Sequence, residues 1–90
     1  MIKVLFIAKI KNLTPEYEEY NDSLYASAKK MDGFLGIDSE VIDDIEITIS
    51  KWRNKKDVSI WARDPEHIKA KSRVKEWYDW YRAEHFELND

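Results

Sequence analysis

Phe34-Leu35-Gly36-Ile37-Asp38-Ser39-Glu40-Val41-Ile42-Asp43-Asp44-Ile45-Glu46-Ile47-Thr48-Ile49-Ser50-Lys51-Trp52 reads as two strands joined by two residues. In the first run Leu35, Ile37, Ser39 and Val41 alternate with Phe34, Gly36, Asp38 and Glu40. In the second, Ile45, Ile47 and Ile49 point one way and Glu46, Thr48 and Ser50 the other. A period of two marks β-strands, and a link as tight as Asp43-Asp44 makes the pair an antiparallel hairpin.

Upstream, Ile2, Val4, Phe6, Ala8 and Ile10 form one apolar set, and Leu5 and Ile7 dominate the middle of the other, framed by Lys3, Lys9 and Lys11. A strand apolar on both faces needs cover on both sides. In so short a chain helices supply one cover, and a partner subunit is expected as the other. Thr14-Pro15-Glu16 then reads as a helix start: Thr14 as cap, Pro15 at the first position, and Glu16, Glu18 and Glu19 at the positive end of the dipole. Tyr17, Tyr20, Leu24, Ala28 and Met31 recur at three- and four-residue spacing, one buried stripe of an amphipathic helix. Gly33 is placed as its left-handed stop, and Gly36 thins one strand face where a neighbour can approach.

Downstream, Lys55 to Arg63 returns to helical spacing through Val58, Trp61 and Ala62. Pro65 breaks that helix, and Asp64 caps a second segment expected to run to about Tyr78. A last strand is expected from near Trp80 or Tyr81, through Glu84-His85-Phe86-Glu87-Leu88. The order β-α-β-β-α-β predicts an α+β, ferredoxin-like domain over residues 1–90, with an antiparallel sheet and helices on one face.

Composition limits the function. Ninety residues make one domain. The formal net charge is −3, which does not steer the chain to nucleic acid. The absence of cysteine removes disulfides, thiolate nucleophiles, iron–sulfur clusters and Cys-type zinc sites. Val4 to Ala8 is too short an apolar run for a membrane span. No signal-peptide pattern follows Lys3, so a cytoplasmic location is expected. Aromatic residues make up 13% of the chain, enough that they must line a core, a pocket or an interface. RNA-binding domains share this topology, but they carry aromatics and glycine on central strands, and Ile45 to Ser50 has neither.

Met31-Asp32-Gly33-Phe34-Leu35-Gly36-Ile37, Ile47 to Trp52, Trp61, Pro65-Glu66-His67, Lys69-Ala70-Lys71, Trp77-Tyr78 and Tyr81-Arg82, in that order, resemble the antibiotic-biosynthesis-monooxygenase-like family. The resemblance covers nearly the whole chain. It implies a dimeric α+β barrel with two sheets face to face, and in each subunit a pocket between sheet and helices. It also implies a small monooxygenase acting with O2 on a hydrophobic or aromatic molecule, with no cofactor and no metal. Members that make quinones use an Asn, a Trp and a Tyr around the second helix and an Arg on the last strand. Trp61 matches the Trp and Arg82 the Arg, while Asp57 and His67 stand where the Asn and Tyr would be.

The expected catalytic residues are therefore His67 or Asp57 as base and Arg82 as charge stabiliser. Phe34, Trp61, Trp77 and Tyr78 are expected to bind substrate. The bland alternatives are a rim histidine, core aromatics and a solvated basic helix face at Lys69 to Lys75. Haem-degrading members carry an Asn in the first strand and a His about three turns after the Trp. Here that strand has no Asn, and Lys71 stands at the His position. A non-catalytic dimeric module that binds a small ligand, or serves in stress, is the other reading, because the same pocket serves both.

Overall fold

The computed structural model describes residues 1–88, the side chain of Glu66 excepted. Strand β1 (Ile2–Ile10) leads into helix α1 (Pro15–Lys29), hairpin strands β2 (Phe34–Ile42) and β3 (Ile45–Trp52), helix α2 (Lys55–Ala62), helix α3 (Pro65–Lys71), a single turn α4 (Val74–Trp77) and strand β4 (Tyr78–Glu87). The four strands form one antiparallel sheet in the order β2-β3-β1-β4. The α+β ferredoxin-like arrangement is thus present. No helix among the described residues is long and apolar enough to cross a membrane.

Register decides which face each side chain joins, because successive residues point to opposite sides. Ile2, Val4, Phe6 and Ala8 of β1 pair with Trp52, Ser50, Thr48 and Glu46 of β3. Ile2, Val4 and Trp52 pack on Ala28 of α1 and Val58 of α2, so this is the helix-covered face. Its β3 half is polar apart from Trp52. The isoleucines of β3 lie on the other face, with Leu5 and Ile7, and no helix covers them. Trp80, Arg82, Glu84 and Phe86 of β4 share that bare face through their pairing with Lys9, Ile7, Leu5 and Lys3. Trp80 and Phe86 are 47% and 45% exposed there, an apolar surface with charged margins.

The hairpin turn puts both Asp43 (φ 47°) and Asp44 (φ 66°) in the left-handed region, as a two-residue turn matched to strand twist requires. The glycines differ from expectation. Lys30, in the right-handed helical region, ends α1 by donating its N–H to the Ser27 carbonyl, Met31 N–H donates to the Ala28 carbonyl, and Gly33 has no left-handed conformation. Gly33 is needed because the Asp57 side chain lies where its Cβ would be. Gly36 has open space around it, and its φ of +156° at the irregular pairing of β2 with β3 is what calls for glycine.

Three further departures have local causes. Thr14 stands at the start of α1 but makes no capping bond, and its hydroxyl accepts from Trp77 Nε1 at 3.2 Å instead. The long second helical segment stops at Lys71, where Ser72 Oγ donates to the Lys69 carbonyl at 2.6 Å and competes with helix continuation. Finally, β4 begins at Tyr78 rather than Trp80. Tyr78 OH donates to Glu46 at 2.9 Å, and the pairing shifts between Lys9 and Ile10 to bring the ring inward.

Candidate functional site

Around α2 the inner face of the sheet ends in a stack of rings. Asn54 accepts from the Asp57 N–H at 3.0 Å and sets the first turn of α2. One turn on, Trp61 is directed at Trp52, with centroids 4.9 Å apart. The break at Asp64-Pro65 turns α3 back over α2, and Ser27 Oγ of α1 holds Asp64 at 2.8 Å. His67 therefore lies on the outer side of Trp61, 4.3 Å away and 11° from parallel. Phe34 meets Trp52 edge-on at 5.3 Å. Asp57 rests on Gly33, with Oδ2 3.5 Å from Arg53 Nε, an ion pair too poorly aligned to be a hydrogen bond.

Three buried polar atoms in this group have no hydrogen-bond partner: Asp57 Oδ2, Trp61 Nε1 and His67 Nδ1. Buried polar atoms without a protein partner are uncommon in folded proteins, and each is completed by a bound water, an ion or a ligand, or serves in catalysis. Burial lowers the His67 pKa below its ordinary 6.5, and the nearby Lys71 ammonium lowers it further. Both causes favour the neutral ring, and the Trp61 and Ala62 backbone groups within its reach oppose them.

At the other end of the sheet, six residues back along β3 and so about 20 Å away, stands a second group. Glu46 is only 6% exposed. Its Oε1 accepts a very short hydrogen bond from Tyr17 OH and one of 2.9 Å from Tyr78 OH, and its Oε2 takes a longer one, 3.3 Å, from Thr48. Trp77 packs edge-on against Tyr17 at 5.3 Å. Burial, then the bond to Glu46, pushes the Tyr17 hydroxyl up to about 12, and burial raises Tyr78 as well.

Of the seven expected residues, then, Phe34, Trp61 and His67 come together around Trp52, and Asp57 lies one turn before Trp61, against Gly33. Trp77 and Tyr78 belong to the Glu46 group. Arg82 lies on the bare face, paired to Glu84 at 3.2 Å, and within one subunit does not meet the others. The sequence reading does not anticipate the Tyr17–Glu46–Tyr78 group. Its signal is the tyrosine-rich stripe of α1, whose hydroxyls need acceptors on the strand face they meet. Among the described residues no three His, Asp or Glu side chains gather as a metal site would need.

No family model and no curated protein matches the sequence. Solved structures do match over nearly the whole chain. Rv0793 from Mycobacterium tuberculosis superposes with a TM-score of 0.85 at 11% identity, covering 99% of this chain and 95% of that one. SnoaB, a cofactor-independent oxygenase from Streptomyces nogalater, gives 0.81 at 11% identity, covering 99% and 93%. A structure described as an antibiotic biosynthesis monooxygenase gives 0.78 at 14% identity, covering 100% of both. At such identities the likeness is one of fold. This chain has the fold of the antibiotic biosynthesis monooxygenases, which agrees with the resemblance in its sequence.

Proposed function

We propose that this protein is a cofactor-free monooxygenase that acts with O2 on a small hydrophobic, aromatic molecule at the Trp61–His67 group. The observation that carries this reading is the set of buried polar atoms without a hydrogen-bond partner on Asp57, Trp61 and His67, in a fold shared with a cofactor-independent oxygenase. With no cofactor to carry electrons, the substrate must supply them itself once it is deprotonated. His67 Nδ1 takes the proton of a phenol, and the phenolate donates electrons to O2. A C–O bond forms at a ring carbon, and loss of water from the hydroperoxide leaves a quinone. Trp61, packed between Trp52 and His67, borders the substrate with its ring edge, and Asp57 is the alternative base. Phe34 closes the apolar side behind Trp52, and the surrounding rings exclude water.

The same reading makes the protein a cytoplasmic homodimer, paired through the bare face that carries Leu5, Ile7, Ile47, Ile49, Trp80 and Phe86. That pairing also gives Arg82 its place, at the interface rather than beside its own subunit's His67. Sedimentation equilibrium should show a dimer at micromolar concentration, and a stable monomer would rule the pairing out.

O2 uptake with a panel of phenols and hydroquinones tests the chemistry. Turnover is expected, with kcat reduced about a hundredfold or more in His67→Asn, as for loss of a general base. Unchanged turnover in both His67→Asn and Trp61→Phe would show that the site lies elsewhere. One observation favours a second reading, a non-catalytic ligand-binding module: both faces of Trp61 are already occupied, by Trp52 and His67. Binding of such phenols with no O2 consumption would be its mark.

A further inference from the structure

Helix α2 has a second flank that the proposed reaction does not use. Lys55, Val58, Ser59 and Ala62 recur at three- and four-residue spacing and form one stripe on it. That stripe faces the inner side of β4, where His85 and Glu87 pair with Val4 and Ile2. Between them lies a cleft of about 550 Å³ lined by Ile2, Lys55, Val58, Ser59, Ala62, His85 and Glu87. Small-molecule sites span roughly 300–1,000 Å³, with an apolar lining and a few placed polar groups. The floor here fits that description, because Ile2 and Val58 are 3% and 6% exposed.

We propose that this cleft binds a small apolar acid, with its hydrocarbon body on Ile2, Val58 and Ala62 and its carboxylate at the rim. The rim chemistry selects the acid. Arg63 Nη2 donates to Ser59 Oγ at 3.3 Å and Arg63 Nε to the Ser59 carbonyl at 3.2 Å. The Ser59 oxygen is thereby engaged as acceptor, and its own O–H is left to donate into the cleft. Lys55 Nζ lies 3.1 Å from Glu87 Oε2, which uses one of its three N–H groups. Arg63 does not itself line the cleft; the groups that do are the Ser59 hydroxyl, the two N–H groups that Lys55 has left and His85, while the single carboxylate, Glu87, is already paired with Lys55. Donors thus outnumber acceptors in the lining, and an acceptor oxygen that carries negative charge matches this set better than an amine does.

The experiment is an amide and imidazole NMR titration of the whole protein with 2-naphthoate, alongside 2-naphthylmethylamine. Saturable shifts at Val58, Ser59, Ala62 and His85 are expected with the acid, and binding of the amine should be at least about fivefold weaker. Lys55→Gln should weaken the acid by up to about fivefold, the scale of an exposed ion pair. Ala62→Trp should abolish binding by filling the cleft, with the spectrum otherwise retained, and Ser59→Ala provides a milder second variant. The absence of saturable shifts into the millimolar range, equal binding of the amine, or shifts centred on Trp61 and His67 would each overturn the proposal. Binding is read without turnover, and Trp61→Phe should leave it unchanged, so this inference and the oxygenase reading fail independently.

Discussion

The two ends of the helix-covered face are built from similar materials and put them to different use. Each has an indole, further rings and a carboxyl, Glu46 buried and Asp57 partly so. Around Glu46 the polar atoms are matched, with Tyr17, Tyr78 and Thr48 donating to the carboxylate and Trp77 Nε1 donating to Thr14. Around Trp61 three such atoms have no hydrogen-bond partner, and one of them, Asp57 Oδ2, has only a loose ion pair with Arg53. A satisfied network in low dielectric fixes a unique packing, while an unsatisfied one costs stability unless a ligand completes it. The Glu46 end thus holds α1 and the start of β4 to the sheet, and the Trp61 end keeps buried polar atoms that the proposed substrate would complete.

The largest expected effect is at the matched end. Glu46→Ala strands two phenolic donors and should cost roughly 3–5 kcal/mol, a large share of the ~5–15 kcal/mol typical of a domain. Glu46→Gln keeps an acceptor oxygen and should cost about 1–2 kcal/mol. Trp61→Phe, which deletes an N–H that bonds to nothing, should cost less than about 1 kcal/mol. Urea unfolding of the three variants gives the ranking. If Trp61→Phe proved as costly as Glu46→Gln, the contrast between the two ends would collapse.

Gly33→Ala comes next. The added methyl meets the Asp57 side chain, and either the carboxyl or the start of α2 must move, at about 2 kcal/mol or more. In an Asp57→Gly background the same change should cost measurably less, because the obstructing atoms are gone. Equal costs in the two backgrounds would mean that Asp57 does not rest on Gly33, and the placement of Asp57 in the unmatched group would fall with it.

Much of this contrast is legible in the sequence and part is not. The hairpin, the stripe of α1 and the helical spacing through Trp61 are local patterns, and each stands where its periodicity predicts. The Asp64-Pro65 break is read from the sequence as well, whereas the stacking of His67 on Trp61 is not. Local pattern leaves open which face of β3 meets the helices. Ile45, Ile47 and Ile49 are as suited to a core as any residues in the chain, yet they lie on the bare face, while Glu46, Thr48 and Ser50 lie under the helices. The hydroxyls of Tyr17 and Tyr78 make that polar inner face workable, and those partners come from elements 29 and 32 residues away. The early start of β4 has the same cause. Distances of that kind are set by tertiary contact and leave no trace in a window of a few residues. Gly33 stands where helix-stop statistics place a glycine, whereas its actual constraint is the Asp57 side chain from α2.

The smallest effect bears most directly on the unmatched end. His67 is depressed by burial first and by Lys71 second, opposed by the Trp61 backbone, by Asp64 and by the Ala62 backbone. The unfolded chain therefore takes up this proton at a higher pH than the folded one. Over the window below the ordinary 6.5 the unfolded state holds more protons, so stability rises with pH there. The contribution is complete above that ordinary value and is lost as pH falls through the lowered one. A tenfold difference in proton affinity between the folded and unfolded chain is worth about 1.4 kcal/mol. Urea midpoints followed from about pH 7.5 to pH 5 should therefore fall more steeply for the native protein than for His67→Gln, which cannot take up the proton. Carboxylate titrations are common to both proteins and cancel in the difference. Parallel curves would mean that the imidazole is as well solvated folded as unfolded. In that case the Trp61 end would hold no desolvated base, and the contrast with Glu46 would reduce to hydrogen-bond count alone.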